Sequence, residues 1–265
     1  MSAVRGREAG RQTWLQDVTT RNLKFTLAYD GTRFVGWQRQ ADGVSIQGLI
    51  EDAVARFEGA PVIVHGAGRT DAGVHALGQV ASAHVTFTHS LDTLRRALNA
   101  QLPNDVRVID VVEAPPDFHA RFSARSKTYR YRLRAGDGGD PFTRAYVWQM
   151  PEPLDVTAMR AAARVLVGSH DFAAFQSAGT ETKTTVRTIV RSEIIETPPH
   201  GIEYEVEGDG FLRHMVRAIT GTLVEIGRGW RVPASMAQLI NGGSRGQAGA
   251  TAPPHGLVLV RVEYH

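Results

Sequence analysis

The chain has 265 residues, of which 42% are hydrophobic and 22% are charged, a balance that is typical of a globular protein and excludes a disordered one. It contains no run of about 18 apolar residues, which excludes a membrane span, and no cysteine, which excludes disulfides and thiolate metal sites. Arginine dominates its 30 basic residues, and the net charge of +3 is compatible with a nucleic-acid partner without requiring one. We expect a cytoplasmic protein.

The N-terminal half begins with a polar stretch, residues 1–21, which predicts a disordered tail because it lacks hydrophobic periodicity. Apolar residues then alternate from Leu23 to Leu27, which predicts a strand. Ser45 and Ser90 each precede an amphipathic stretch and predict the N-termini of two helices. The other predicted strands of this half are residues 61–64, 79–87 and 106–112. The order strand, helix, strand, strand, helix, strand is typical of the ferredoxin-like split βαβ unit.

Pro115-Pro116 predicts a boundary between domains at residues 22–114 and 115–265. The second domain has a similar set of predicted elements. Its strands are residues 127–133, 186–196, 202–207 and 257–264, and its helices are residues 155–167, 212–226 and 232–240. We therefore predict an α+β fold of two ferredoxin-like, RRM-like split βαβ subdomains, whose mostly antiparallel sheets flank a central cleft.

A glycine-rich loop between two predicted strands, residues 66–75, carries the first candidate site. Its glycines allow tight turns and close approach of a ligand. It places one carboxylate, Asp71, near one guanidinium, Arg69. Composition alone also permits a simpler interpretation, a tight turn in which Asp71 caps a backbone amide.

A basic and aromatic segment, residues 118–134, is the second candidate site, because cations interleaved with aromatics suit phosphate binding and base stacking. Strand alternation places Tyr129 and Tyr131 on one face and Arg130 and Arg132 on the other. The tyrosines could therefore line a cleft or simply belong to the core. The segment contains no acid, and its cations are Arg121, Arg125, Lys127, Arg130, Arg132 and Arg134.

The third candidate site, residues 208–217, has glycines in front of a predicted helix. Arg213 and Arg217 are four residues apart and are predicted to share a helical face, where they would either bind a ligand or be solvated. The histidines of the N-terminal half do not form a metal-binding pattern, and we predict no metal site.

Several motifs in order resemble the tRNA pseudouridine synthase A (TruA) family. The segment Arg69-Thr-Asp-Ala-Gly-Val-His75 resembles the family's catalytic motif. The resemblance extends from about Asn22 to the C-terminus, with one departure at His255, where an acidic residue is expected. The other matching segments are residues 29–38, 118–121, 127–131, 168–172, 187–189, 211–217 and 248–257.

This resemblance implies that the chain isomerises uridine to pseudouridine at positions 38, 39 and 40 of the anticodon stem-loop of tRNA, as a homodimer and without cofactor or metal. Asp71 would be the catalytic carboxylate, Tyr129 would contact the target base, and Arg217 would pair with Asp71. Arg69 would also bind substrate, and the central cleft between the two subdomains would be the RNA-binding active site. The further expected RNA-binding residues are Arg33, Gln38, His75, Arg121, Arg125, Lys127 and Arg213.

The chemistry of the reaction agrees with a single carboxylate. Asp71 could attack the sugar, stabilise an oxocarbenium-like state, or remove a C2′ proton, and a nearby guanidinium would favour its ionised form. The uridine must leave the stack, and Tyr129 could stack on it. Two other hypotheses are an Asp-dependent nucleoside or glycoside hydrolase, which usually needs a second nearby carboxylate, and a noncatalytic RNA-binding module.

Overall fold

The computed structural model describes residues 20–136, 139–177, 179, 182–198 and 201–264. Most of the predicted N-terminal tail, residues 1–19, lies outside the described residues, and the first strand begins at Arg21. None of the helices in the described parts of the chain is long and apolar enough to cross a membrane.

The described residues form a mixed α/β fold with one large sheet and few helices. Its strands are β1 (Arg21–Tyr29), β2 (His65–Gly66), β3 (His75–Val85), β4 (Val106–Ala114), β5 (Ser126–Ala135), β6 (Trp148–Met150), β7 (Gly168–Asp171), β8 (Val186–Thr197), β9 (Gly201–Gly208) and β10 (Leu257–Glu263). Its α-helices are α1 (Ile46–Glu58), α2 (Leu91–Gln101), α3 (Val156–Arg164), α4 (Met215–Gly227) and α5 (Ser235–Ile240).

The strands of both halves join in one mostly antiparallel sheet. Its order is β4-β1-β3-β10-β5-β9-β8-β7, with β2 on β3 and β6 on β5. The last strand, β10, pairs with β3 in parallel and with β5 in antiparallel orientation. The expectation of separate sheets on either side of a cleft is therefore wrong in this respect, because β10 fills the gap between the two halves and makes the sheet continuous.

The two predicted helix caps of the N-terminal half are confirmed. The Ser45 hydroxyl accepts a hydrogen bond from the Gly48 N–H, and the Ser90 hydroxyl accepts one from the Thr93 N–H. These bonds satisfy amides that have no partner within the first helical turn, which fixes where α1 and α2 begin.

Residues 61–64, which were predicted to form a strand, have no regular secondary structure, and the short strand β2 begins directly after them. Two side chains of α1 form hydrogen bonds with the backbone of Val64 instead. The Val64 N–H donates to the Glu51 carboxylate at 3.1 Å, and the Gln47 amide donates to the Val64 carbonyl at 3.0 Å. Because both backbone groups of Val64 are already paired, this residue does not need a neighbouring strand.

Helix α4 is buried along almost its whole length. At Gly221 a Cβ atom would lie 1.7 Å from the Ala250 carbonyl oxygen, so only glycine allows the segment before β10 to cross the helix this closely. The same crossing is tied by a hydrogen bond from the Ala252 N–H to the Arg217 carbonyl. The close approach places the start of α4 beside the glycine-rich loop.

Candidate active site

The glycine-rich loop is held against β3 and the loop after β1. The Ala67 N–H donates to the Val80 carbonyl at 2.7 Å, and the Trp37 N–H donates to the Thr70 carbonyl at 3.0 Å. The Tyr29 and Thr70 hydroxyls share a buried hydrogen bond of 2.8 Å. The backbone just before Asp71 is therefore fixed by neighbours that are not part of the loop.

Gly36 explains how the two loops approach so closely. Its φ of 104° lies in a region that favours glycine, and a Cβ atom there would lie 2.6 Å from the Thr70 carbonyl oxygen. Any larger residue would push the loop that carries Asp71 away from the loop after β1.

Asp71 forms an ion pair with Arg217 of α4. One guanidinium nitrogen lies 3.1 Å from the Asp71 Oδ2, and the Arg217 Nε donates to the Ala252 carbonyl at 2.8 Å. The Arg217 side chain is 13% exposed and the Asp71 side chain 25%. The expected pairing of Arg217 with Asp71 is confirmed, and its position at the edge of the core leaves one side of the carboxylate open to a ligand.

His214 is part of the same cluster, and the sequence analysis missed it. Its Nε2 lies 3.5 Å from the Asp71 Oδ1, and its Nδ1 shares a short hydrogen bond with the Ser177 hydroxyl. Its φ of 63° is left-handed, which is uncommon outside glycine and is often found where function holds the backbone in place. The glycine-rich stretch just before it was the only sequence signal of unusual backbone.

The left-handed His214 also corrects the predicted third site. Helix α4 begins at Met215 and not at Leu212, so Arg213 lies outside it. Arg213 and Arg217 therefore do not share a helical face. Arg213 is exposed, whereas Arg217 points into the cluster around Asp71.

Burial lowers the pKa of the His214 imidazole below its ordinary value. The charge of Asp71 opposes this shift, and those of Arg217, Arg213 and Arg245 add to it. The imidazole is therefore neutral at physiological pH. Arg245 is a further neighbour that the sequence did not indicate, and it is fixed by hydrogen bonds to the Gly249 carbonyl and the Thr251 hydroxyl.

Tyr129 forms an apolar wall of the cluster. Its ring is buried and meets Phe211 edge-on at a centroid distance of 5.0 Å. Burial, and to a lesser degree the charges of Tyr29 and Asp71, raise the pKa of its hydroxyl. The hydroxyl has no hydrogen-bond partner within the described residues, so it is available to a bound molecule.

Lys127 lies next to this wall. A Cβ atom on Gly68 would lie 3.4 Å from the Lys127 Cε and 3.9 Å from the Tyr129 hydroxyl oxygen, so both side chains border the glycine-rich loop. Burial and the charge of Arg121 lower the pKa of the Lys127 amine, against the charge of Asp209. It has no ion pair in the described parts of the chain.

The predicted faces of β5 are confirmed. Tyr131 is buried and its hydroxyl donates to the Pro253 carbonyl at 2.7 Å. Arg130 and Arg132 lie on the other face and form ion pairs with Glu203 of β9. Those two arginines have carboxylate partners and do not reach the Asp71 cluster.

The other expected RNA-binding residues occupy different settings. Arg33 is exposed and paired with Asp105, and the Gln38 amide donates to the Gln47 side chain. His75 is buried, with its Nδ1 accepting from the Gly31 N–H and its Nε2 bonded to the His255 carbonyl. Four of the expected residues are exposed arginines without a carboxylate partner among the described residues, namely Arg69, Arg121, Arg125 and Arg213.

The site brings together one carboxylate, one guanidinium, one imidazole and a buried tyrosine. No group of three or more histidine, aspartate or glutamate side chains that could hold a metal ion occurs among the residues described. An ionised carboxylate held by Arg217 beside an apolar wall can act on an electrophilic carbon or stabilise positive charge that develops near it.

The sequence was compared with families and with curated proteins. A family profile described as tRNA pseudouridine synthase matches residues 26–123 and 162–265.

Three similar proteins are named "tRNA pseudouridine synthase A". The one from Citrifermentans bemidjiense (strain ATCC BAA-1014 / DSM 16622 / JCM 12645 / Bem) is 43% identical over 92% of this chain and 98% of its own. That from Solidesulfovibrio magneticus (strain ATCC 700980 / DSM 13731 / RS-1) is 48% identical over 91% and 90%. That from Myxococcus xanthus is 46% identical over 91% and 91%. The chain therefore belongs to the tRNA pseudouridine synthase family.

Proposed function

We propose that this protein isomerises uridine to pseudouridine in tRNA, at positions 38, 39 and 40 of the anticodon stem-loop, with Asp71 as the catalytic carboxylate. The observation that carries the assignment is the ion pair between Asp71 and Arg217, which borders the buried Tyr129. Membership of the family and the names of the similar proteins support the substrate.

The reaction rearranges bonds without gain or loss of atoms. The bond between N1 of uracil and C1′ of ribose breaks, the base turns, C5 bonds to C1′, and the C5 proton leaves to solvent while N1 gains one. Asp71 acts at the ribose, as a nucleophile at C1′ or as a base at C2′. Arg217 holds the carboxylate in place through the ion pair of 3.1 Å.

Tyr129 and Phe211 would receive the uridine once it has left the RNA stack. Their edge-on arrangement gives a rigid apolar wall, and stacking on it offsets part of the free energy needed to flip the base. The unpaired Tyr129 hydroxyl would contact the base. Arg69, exposed and two residues before Asp71, would bind a neighbouring phosphate.

We also propose that the chain is organised as two ferredoxin-like subdomains, residues 22–114 and 115–265, after an N-terminal tail. The strand order supports this division. In the first half the order is β4-β1-β3-β2, and in the second it is β10-β5-β9-β8, so both halves have the order fourth, first, third, second. The catalytic cleft would lie where β3 meets β10.

The remaining parts of the proposal concern the protein's setting. Isomerisation is redox-neutral and needs no group that a carboxylate cannot supply, so we propose that it proceeds without cofactor or metal. We further propose that the protein acts as a cytoplasmic homodimer, as its resemblance to the family implies. Analytical ultracentrifugation with and without tRNA tests the dimer, and a monomer that remains fully active would contradict it.

The decisive experiment measures tritium release from tRNA transcripts that contain uridine labelled at C5. We expect release to solvent, with pseudouridine at positions 38, 39 and 40 and no free uracil. A hydrolase would release free uracil and leave an abasic ribose. A noncatalytic RNA-binding protein would bind the transcript and release neither product, and either outcome would overturn the proposed function.

A further inference from the structure

Three aromatic rings, two of them in the basic segment, lie in a row on the protein surface with successive planes tilted by 31° and 36°. His65 and His119 have ring centroids 4.6 Å apart, and His119 and Phe122 have centroids 4.4 Å apart. Phe122 ends the stack and is 77% exposed. We call these three residues the aromatic stack. A single exposed phenylalanine needs no explanation, but one that extends an ordered row of rings presents a flat face to solvent.

The turn that carries Phe122 is locked by its own hydrogen bonds. The His119 Nδ1 accepts from the Arg121 and Phe122 N–H groups at 3.1 and 3.4 Å. The His119 N–H donates to the Ser123 hydroxyl, and the Ser123 N–H donates back to the His119 carbonyl. The imidazole therefore has a fixed orientation and a fixed tautomer, with its only ring proton on Nε2.

The same turn is fastened to the sheet. The Ala120 N–H donates to the Ser82 hydroxyl of β3 at 3.1 Å, and the Tyr264 hydroxyl donates to the Ala120 carbonyl at 2.7 Å. Burial and the charge of His65 lower the pKa of His119, so the two imidazoles can stack without mutual repulsion at physiological pH. The aromatic stack is preorganised, which reduces the entropy lost when a flat ligand binds to it.

Cations without a carboxylate partner among the described residues lie between the aromatic stack and the cluster around Asp71. The Arg121 guanidinium lies 5.7 Å from the centre of the Phe122 ring, and its charge acts on Lys127. Lys127 in turn borders Gly68 and Tyr129. Arg121, Arg125 and Lys127 have no carboxylate partner within the residues that the structure describes. A polyanionic backbone that crosses the pocket would therefore meet positive charge on its way to Phe122.

We propose that the aromatic stack is a binding site for an unpaired base of the tRNA substrate, stacked on Phe122, in the strand that carries the target uridine. This inference rests on the proposed function. An exposed ring beside unpaired cations matches the chemistry of single-stranded RNA, whose bases offer flat faces and whose phosphates offer charge. Phe122 binds the base, His119 and His65 hold the Phe122 ring in place from behind, and Arg121 binds the phosphate.

The test compares tRNA affinities of four Phe122 proteins at fixed salt: wild type, Phe122→Trp, Phe122→Leu and Phe122→Ala. Because Phe122 is exposed, these variants should fold normally, which thermal melts can verify. We expect Phe122→Ala and Phe122→Leu to weaken binding at least about fivefold, as expected for loss of one stacked base, and Phe122→Trp to bind within threefold of wild type. Phe142→Ala, at a ring that is 90% exposed, is the matched control and should bind like wild type.

A second measurement reports the stacking directly. The fluorescence of Phe122→Trp, after subtraction of the wild-type signal, should be quenched when tRNA binds, whereas that of Phe142→Trp should not change. Wild-type affinity in Phe122→Ala or in Phe122→Leu, or no quenching of the new tryptophan, would overturn the aromatic stack as a base-binding site.

The outcomes also separate this inference from the proposed function. Normal tritium release by the wild type together with wild-type affinity in Phe122→Ala removes the aromatic stack alone. Absence of tritium release together with weakened tRNA binding in Phe122→Ala removes the catalytic assignment and retains an RNA site at Phe122. A wild-type protein that does not bind tRNA at all would overturn both.

Discussion

Arg217 and Asp71 are 146 residues apart in the sequence, and their side chains meet at 3.1 Å. The Arg217 guanidinium is not free to follow the carboxylate, because its Nε is bound to the Ala252 carbonyl. Desolvation offsets most of the attraction in such a partly buried pair, so it adds little to stability. Its effect is to hold the Asp71 carboxylate in a fixed direction through the contact with Oδ2.

Replacing Asp71, the proposed catalytic carboxylate, should separate chemistry from binding. We expect Asp71→Asn to retain less than a few per cent of the wild-type isomerisation rate, because the amide cannot act at the ribose. Its tRNA dissociation constant should stay within about tenfold of wild type, since a carboxylate repels phosphate and contributes little to affinity. Single-turnover tritium release and filter binding measure the two quantities, and substantial turnover by the Asn variant would contradict the role of Asp71.

Arginine geometry at position 217 should matter beyond its charge. A lysine cannot contact Asp71 and the Ala252 carbonyl together, so we expect Arg217→Lys to lower the single-turnover rate about 100-fold at saturating tRNA. The matched control is Arg228→Lys, beyond the other end of α4, where the arginine pairs with Glu152. A rate within threefold of wild type in Arg217→Lys would show that positive charge alone is sufficient.

Substitutions of His214 should affect both stability, through its left-handed backbone, and activity, through its contact with Asp71. Glycine relieves the left-handed backbone by about 1–2 kcal/mol but loses about 1 kcal/mol in hydrogen bonding to Ser177 and about 0.5–1 kcal/mol through greater freedom of the unfolded chain. Urea denaturation should therefore show His214→Gly within about 1 kcal/mol of wild type, and His214→Ala less stable than His214→Gly. Both should isomerise about tenfold more slowly, because Asp71 loses a neighbour. Full activity in His214→Gly would remove His214 from the site.

Salt should weaken tRNA binding steeply, because exposed arginines displace counterions from the phosphates. We expect Arg69→Ala to reduce the slope of log affinity against log salt by about 1. Arg132→Ala is the control, because Arg132 lies on the face of β5 opposite to Tyr129 and is paired with Glu203. Titrations at several salt concentrations give the slopes, and equal slopes for wild type and Arg69→Ala would place Arg69 away from the RNA backbone.

The ion-pair network across β5, β8 and β9 should give an acid-sensitive contribution to stability. Burial alone would raise the pKa of Glu205, but hydrogen bonds and charges from Arg130 and Arg191 outweigh it and hold the pKa below its ordinary value. A carboxylate with a lowered pKa stabilises the fold above its unfolded pKa, and this contribution disappears as the pH falls through the folded pKa. Stability should therefore decline on acidification below about pH 4.3, the ordinary pKa of a glutamate.

Glu205→Gln tests this network. We expect a loss of about 2 kcal/mol in the free energy of unfolding at neutral pH, between the values for exposed and buried pairs, and a smaller decline at acid pH than in wild type. Glu193→Gln, at a side chain that is 55% exposed, is the control and should change stability by less than about 0.5 kcal/mol. If the free energy of unfolding falls equally steeply at acid pH in wild type and in Glu205→Gln, Glu205 does not cause the acid sensitivity.

Local chemistry allowed several elements to be predicted from the sequence. Ser45 and Ser90 cap α1 and α2 because a hydroxyl in front of an amphipathic stretch satisfies nearby amides. Alternation along β5 predicted which side chains are buried. The prediction failed at residues 61–64, where Glu51 and Gln47 take the backbone hydrogen bonds from a distance of 13 and 17 residues. The residues next to Val64 in the sequence do not show that distant side chains will bind its backbone groups.

The carboxylate, guanidinium and tyrosine of the site were predicted from the sequence, and the family resemblance identified Asp71 and Arg217 as partners. Only the tertiary structure decided that β10 joins both halves of the sheet, that β3 begins at His75 to pair with it, and that His214 adopts a left-handed backbone against Asp71 and Ser177. Caps and strand faces depend on interactions within a few residues. The junction and the strained histidine depend on contacts between segments that meet only when the chain is folded, so their free energy is not encoded in any local pattern.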